Sequence, residues 1–341
     1  FATTRNRTDR KSTGQEIRVA QRPYRQLYSG HCGRFRYIEK QPGPCHLAES
    51  LRTSGHRMRP VITLTTDFGL EDPFVGIMKG VILNIVPDAQ IVDITHNIEP
   101  QNITQAALIL NATYPWFPRK TVHVVVVDPG VRGGSTSRTK SSGITSTKKT
   151  TSLGPAIRRA MVVQSKFQTF IGPDNGVLTP CLHPDCRVYE ITNKKYFLKN
   201  VSNTFHGRDV FAPCAGWLAS GIAHSKIGPR VLKPVRLDFP QPLLKGASLY
   251  GEIIHIDHFG NLTTNISAEL IHETFLSSDT IKVQIGKHRI EGLVTGYYQM
   301  KGGQPGAIIN SWNQLEIFYR EDNAKKKLKA RMGQSVTLKA N

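Results

Sequence analysis

Four short polar motifs each follow the end of an apolar run: Thr66-Asp67-Phe68-Gly69, Val127-Asp128-Pro129-Gly130, Thr204-Phe205-His206-Gly207-Arg208-Asp209 and Ile256-Asp257-His258-Phe259-Gly260-Asn261. Their chemistry-bearing side chains are carboxylates and one imidazole. A carboxylate and an imidazole around a water can polarise it, and a guanidinium can fix the carboxylate. Each residue has a plainer reading. An aspartate after a strand is often a cap or turn residue, and that reading is preferred for Asp93. A lone histidine is more often structural, and for Asn261 a turn asparagine is the plainer alternative.

The elements that would position these groups follow from periodicity. Val61–Thr65 is a short run of β-formers. Asp72-Pro73 reads as an N-cap followed by proline at the first helical position. Phe74, Met78, Val81 and Ile85 then lie on one helical face. Ile91–Ile94 is a second strand, Ile103–Ala112 a second helix, and Val122–Val127 a strand buried on both faces of a parallel sheet. Alternating strands and helices specify an α/β domain, in which ligands bind at the carboxyl ends of the strands. Asp67 and Asp128 stand at such ends. Pro173–Gly176 reads as a turn, and Val210–Ser220 as a helix with Gly221 closing it. Beyond Pro229, Pro234, Pro240 and Pro242, short β runs follow without a dominant helix: Leu249–Ile256, Leu262–Ile266, Ile281–Ile285, Ala307–Ile309, Leu315–Tyr319 and Val336–Leu338. They predict a small β-barrel or sandwich.

The fold class is therefore α/β: an N-terminal domain over 60–232 with a central, mostly parallel sheet, a linker at 233–246, and a β domain at 247–341. Residues 1–59 read as a disordered tail, being Arg-, Ser- and Thr-rich without a period. Met58 is the first methionine and stands directly before the first strand, so the sequence upstream of it is taken to add nothing to the core.

Together and in this order, the four motifs resemble the family of S-adenosylmethionine-cleaving enzymes that includes the fluorinase, the chlorinase and the S-adenosylmethionine hydroxide adenosyltransferases. The resemblance spans roughly residues 60–340. It implies an Asp–Arg–His water-activating set at Asp128, Arg158 and His206, with Arg132, Arg138 and Arg159 as rival arginines. It implies that Asp67 accepts from both ribose hydroxyls, and that Asp72, Asp257 and Ser311 lie near the methionine ammonium. Asn261 would meet the adenine edge, Tyr298 the pocket wall, and Asn323 and Ala324 the adenine through backbone. Trp312 departs from the halogenases, which carry arginine there. His206 and Gly207 stand where the halogenases have a tyrosine and a halide-holding serine. Hydrolysis of S-adenosylmethionine to adenosine and L-methionine is thus the expected activity, with a halogenase or a disabled binding homologue as the alternatives. The resemblance further implies a homotrimer with sites between subunits and no cofactor, S-adenosylmethionine being the substrate.

Against the resembled pattern, about 132–155 reads as an inserted, solvated loop of Ser, Thr, Lys and Gly. Lengthening a loop this much costs only about 1–2 kcal/mol. The net charge of +20 over 341 residues points first to nucleic acid. Its location argues otherwise. Residues 1–60 hold 13 Lys+Arg against 4 Asp+Glu, 132–159 hold 7 against none, and 320–341 hold 7 against 2, which leaves the remainder close to neutral. Five cysteines make no disulfide framework. Cys181–Cys186 resembles half a zinc site without a second half. No apolar run is long enough to span a membrane. A reduced, cytoplasmic protein is expected.

Overall fold

The computed structural model describes residues 59–128, 159–275 and 281–340. Residues 1–58 of the tail, the whole of the expected insertion at 132–155, and Arg132, Arg138 and Arg158 lie outside the described residues. The chain divides into two compact units, one ending at Phe239 and the other beginning at Pro240. Among the described residues no helix is long and apolar enough to cross a membrane.

The first unit is built on a six-stranded sheet: β1 (Val61–Thr66), β2 (Gln90–Thr95), β3 (Val122–Val126), β4 (Ala160–Gln164), β5 (Thr169–Pro173) and β6 (Arg187–Glu190), in the order β2-β1-β3-β5-β4-β6. Strands β2, β1, β3 and β5 run parallel, and β4 is antiparallel to both its neighbours. The central strand β3 is buried throughout. Its alternate residues serve opposite faces. Val122, Val124 and Val126 pack with α1 (Phe74–Ile85) and α3 (Ala212–Ala219), whereas Val125 and Val127 pack with α2 (Ile103–Thr113). Helices on both faces of a mostly parallel sheet are the layered α/β architecture that the alternation of elements predicts.

Two local expectations are corrected. Helix α1 begins at Phe74 with Pro73 in the cap position, and no side chain caps it, so Asp72 is exposed and not spent on the helix. The buried face of α1 is Val75, Met78 and Ile82. Phe74 instead turns toward two other phenylalanines, Phe68 and Phe205. The expected helix over Val210–Ser220 is preceded by a π turn, Gly207–Phe211, that leads into α3. Pro213 lacks the N–H that would reach back to the Asp209 carbonyl, and that carbonyl accepts from the Leu198 N–H instead (3.0 Å).

The second unit is an antiparallel sheet of eight strands: β7 (Leu243–Lys245), β8 (Ser248–Ile256), β9 (Leu262–Ser267), β10 (Ile281–Ile285), β11 (His288–Glu291), β12 (Pro305–Ile309), β13 (Gln314–Tyr319) and β14 (Ser335–Ala340). The path is β11-β10-β14-β8-β9-β13-β12, with β7 beside β8. A bridge from Val294 to Ile308 brings the two ends together, so the sheet is a nearly closed barrel around Leu249, Ile253, Leu262, Val283, Leu315 and Leu338. Strand β7 lies within the stretch expected to be linker. Two short helices, α4 (Ala268–Thr274) and α5 (Ala324–Lys327), join the barrel strands.

Candidate active site

In the first unit the carboxyl edge of the parallel strands gathers the motif residues. Thr66 pairs in register with Val126, so Asp67 and Asp128 follow the ends of adjacent strands. The loop after β1 is pinned from two sides. The Gly69 N–H donates to the His96 carbonyl (2.8 Å), and Asp67 Oδ2 accepts from the Gln101 N–H (2.8 Å). An ionised carboxylate has about four lone-pair sites, so this single bond leaves Asp67 capacity for a ligand. Thr66 Oγ1 meets His96 Nδ1 at 2.8 Å, and His96 Nε2 stands 3.1 Å from Asp93. Burial pushes the Asp93 carboxyl up, but Lys79 and His96 together hold it below its ordinary value. Asp93 is accordingly a structural aspartate.

Asp128 follows Val127, whose carbonyl accepts from Asn175 Nδ2 (2.8 Å). The Pro-Asp-Asn-Gly stretch, which reads in the sequence as a turn alone, thus clamps the backbone beside Asp128. Its Asp174 is buried, pairs with Arg159 (2.5 Å) and accepts from the Val235 N–H (2.7 Å). Arg159, the rival arginine among the described residues, is thus paired with Asp174. Arg158, the expected member, lies outside the described residues.

His206 precedes the π turn, and that turn is fixed by Asp209. Fully buried, Asp209 accepts from Arg208 Nε (2.5 Å), Arg208 Nη2 (3.1 Å), and the Ser202 N–H and hydroxyl (both 2.7 Å). Burial raises its carboxyl, but Arg208 and Ser202 hold it below the usual range. The turn packs against the loop after β1 through Phe68, Phe74 and Phe205, which meet edge to face at 5.2–6.0 Å between centroids. The structure thus links the Thr-Asp-Phe-Gly and Thr-Phe-His-Gly-Arg-Asp motifs directly.

In the second unit Asp257 and Asn261 form one closed turn between β8 and β9. Asp257 Oδ1 accepts from the Asn261 N–H (2.8 Å) and its Oδ2 from Asn261 Nδ2 (3.0 Å). The turn reading of Asn261 is correct in part: one amide proton is spent, while the rest of the amide has no bond in the turn. Asn323 braces the same turn, donating from Nδ2 to the Phe259 carbonyl (2.9 Å) and capping α5 at the Lys326 N–H (2.9 Å). Ala324 is buried beneath it. Tyr298 is 73% exposed and Ser311 is exposed, so neither packs in the barrel core. Next in sequence to Tyr298 and Ser311 stand Tyr297, which is exposed, and Asn310, which is half-buried; both bond to the buried Glu316, which carried no sequence signal because it sits in a mostly apolar strand. Among the described residues no group of three or more His, Cys, Asp or Glu could hold a metal ion, and Cys181, Cys186 and Cys214 are free thiols.

The SAM hydroxide adenosyltransferase N-terminal domain matches residues 62–143 and 152–228, and the C-terminal domain of that family matches 251–337. The chain is 35% identical to the (R)-S-adenosyl-L-methionine hydrolase of Methanocaldococcus jannaschii over 281 residues, 79% of this chain and 91% of that one. It is 30% identical to the fluorinase of Nocardia brasiliensis over 222 residues, 63% of this chain and 73% of the fluorinase. An uncharacterized conserved protein from Thermotoga maritima superposes with a TM-score of 0.70 at 32% identity, over 81% of this chain and 99% of that one. Both domains match in chain order and the motif aspartates lie at the strand ends; this chain belongs to the SAM hydroxide adenosyltransferase family.

Proposed function

We propose that this chain hydrolyses S-adenosyl-L-methionine to adenosine and L-methionine. The observation that carries the reading is the packing of Phe68 on Phe205, which joins the π turn after His206 to the strand edge bearing Asp67 and Asp128. The relatives named as hydrolases, at up to 35% identity, favour water over halide as the nucleophile.

The substrate's sulfonium leaves as a neutral thioether and needs no protonation. The enzyme must place one water in line with the C5′–S bond and keep other water out. As that water's oxygen bonds C5′, the C5′–S electron pair departs with sulfur and the water's proton passes to the Asp128–His206 pair and from there to solvent. Asp128 and His206 polarise the water, and Arg158 steadies Asp128. Asp67 takes the ribose hydroxyls. Asp72, Asp257 and Ser311 serve the methionine ammonium, Asn261 the adenine edge, Tyr298 the pocket wall, and Asn323–Ala324 the adenine through backbone. No cofactor takes part. The reading extends to a cytoplasmic homotrimer with sites between subunits.

The test is incubation of the full chain with S-adenosylmethionine, in both sulfonium configurations, with and without chloride or fluoride. Adenosine and methionine are expected throughout, and a 5′-halo-adenosine product would replace the hydrolase reading with a halogenase one. For the assembly, Asp67→Ala and Asp257→Ala chains are mixed after subunit exchange. Recovered turnover supports shared sites, and an active monomer on sizing excludes them.

A further inference from the structure

Glu316 lies in the middle of β13, opposite Thr263 of β9 and Ile308 of β12, and is 5% exposed. A carboxylate buried at such a position costs more than an apolar residue unless its bonds specify something. Its two oxygens divide the work. Oε1 accepts from the Tyr297 hydroxyl (2.7 Å), and Oε2 from Asn310 Nδ2 (3.1 Å). That amide nitrogen also donates to Thr263 Oγ1 (3.1 Å). The other end of the Asn310 amide accepts from the N–H groups of Trp312 (2.9 Å) and Gln314 (3.2 Å). Flipping the amide would set its NH2 against the two backbone N–H donors and its oxygen against the Glu316 carboxylate, acceptor against acceptor. Glu316, able only to accept when ionised, fixes which way Asn310 points.

The turn fixed in this way carries Ser311 and Trp312. It closes with Asn313 in the left-handed region at φ 61°, a conformation that asparagine tolerates. Trp312 lies against His255, with centroids 4.9 Å apart, two residues before Asp257. Tyr297 opens the 3₁₀ turn Tyr297–Gln299, which contains Tyr298. Two of the residues assigned above to substrate, Ser311 and Tyr298, therefore adjoin groups that bond to one buried carboxylate.

We propose that Glu316 is a positioning residue: through Asn310 it holds the Ser311–Trp312 turn, and through Tyr297 the turn bearing Tyr298, in the arrangement that receives the amino-acid end of the substrate. The proposal rests on the hydrolase reading for its ligand. Glu316 touches no reacting atom, so its loss should weaken binding and spare the chemical step.

The test compares Glu316→Gln, Glu316→Leu and Asn310→Ala in the full chain. Glutamine can still accept from Asn310 and can donate to the Tyr297 oxygen. Its KM for S-adenosylmethionine should stay within about threefold of wild type, whereas the other two should raise KM about tenfold or more with kcat within about threefold. An unchanged KM in Glu316→Leu, or a fall in kcat alone, would overturn the proposal. If Glu316→Leu does not fold, Asn310→Ala carries the same comparison. The indole N–H resonance of Trp312, assigned by its loss in Trp312→Phe, gives a readout without substrate. It should move in Asn310→Ala and hold in Glu316→Gln, while those of Trp116 and Trp217 stay fixed in both. A stationary Trp312 resonance in Asn310→Ala sinks the proposal. A wild-type chain that leaves S-adenosylmethionine intact sinks the hydrolase reading instead.

Discussion

The rings of Phe68 and Phe205 meet edge to face with centroids 5.9 Å apart, although 137 positions of chain separate them. Each belongs to a polar motif, and each is the apolar residue next to a functional one: Asp67 before Phe68, His206 after Phe205. An edge-to-face aromatic pair is worth about 0.5–1.5 kcal/mol beyond its burial. Here it also holds the loop that carries Asp67 against the turn that follows His206. On the proposed function, the phenylalanines in these motifs position the site.

Asp128→Asn and His206→Ala should each lower turnover by about 10²–10⁴ with little change in KM, if both act on the attacking water as proposed. Asp67→Ala should chiefly raise KM, since it is assigned to ribose and not to the reacting carbon. Steady-state kinetics with S-adenosylmethionine decide between these patterns. Normal turnover in His206→Ala would remove the histidine from the water-activating set.

Asp209→Ala should damage the protein more than its distance from the chemistry suggests. It strips the acceptor from Arg208 and from both Ser202 groups at a fully buried position. The loss is read as a lowered denaturation midpoint, since the Ser202 groups and the Arg208 guanidinium lose their shared acceptor. Asp209→Asn, which keeps the shape, should fold and show reduced kcat through a displaced His206. An Asp209→Asn enzyme with full turnover would show that the π turn does not need this charge.

Acid should weaken the first unit through His123. The ring is 1% exposed, stacked on Phe170 at 5.1 Å, with Nδ1 on Thr63 Oγ1 at 2.8 Å. Burial pushes its pKa from 6.5 down to about 4. The fold thus holds the neutral form, while the unfolded chain takes up a proton below 6.5. The resulting stability is complete above 6.5 and is lost as pH falls from there toward 4, to a limit on the order of 3 kcal/mol. Denaturant midpoints measured across that window should fall more steeply for the wild type than for His123→Phe. Parallel slopes would show that other groups account for the acid limb.

Gly260→Ala should disrupt the Asp257–Asn261 turn. Gly260 has φ +89°, and a Cβ there would stand 2.3 Å from the Asn323 side chain. Backbone strain of this kind costs about 1–3 kcal/mol. Substrate binding should weaken more than the barrel's stability, because the displaced Asn323 also carries the start of α5. Gly260→Ala with wild-type KM and thermal midpoint would contradict this arrangement.

The elements were legible in the sequence wherever one residue's neighbours all obey one period, as in Val122–Val127, whose strand and double-sided burial were both expected. The face of α1 was misread by one position because Phe74 has a competing partner, the Phe68–Phe205 pair, that lies remote in sequence. The π turn was invisible because it depends on what Pro213 lacks and on Leu198 taking up the freed carbonyl. Among candidate site residues, the expected aspartates were found at strand ends. The partners that hold them (Asn175, Gln101, Asn323 and Glu316) were not singled out for those roles, since hydrogen bonds between distant segments leave no period to read.

The antiparallel entry of β4 has a bearing on how this fold tolerates change. Val124 and Val162 both stand level with Ile171, one through the parallel register of β3 with β5 and the other through the antiparallel register of β4 with β5. The chain leaves the sheet after β3 and re-enters it before β4 on the same edge, only two strand spacings away, or roughly 10 Å. A connection whose ends are so close needs no minimum span, and its closure cost grows only logarithmically with length. The ends have separate moorings, Asn175 on the Val127 carbonyl and Asp174 on Arg159. Each end is thus held by its own bond, independently of the length of chain that joins them.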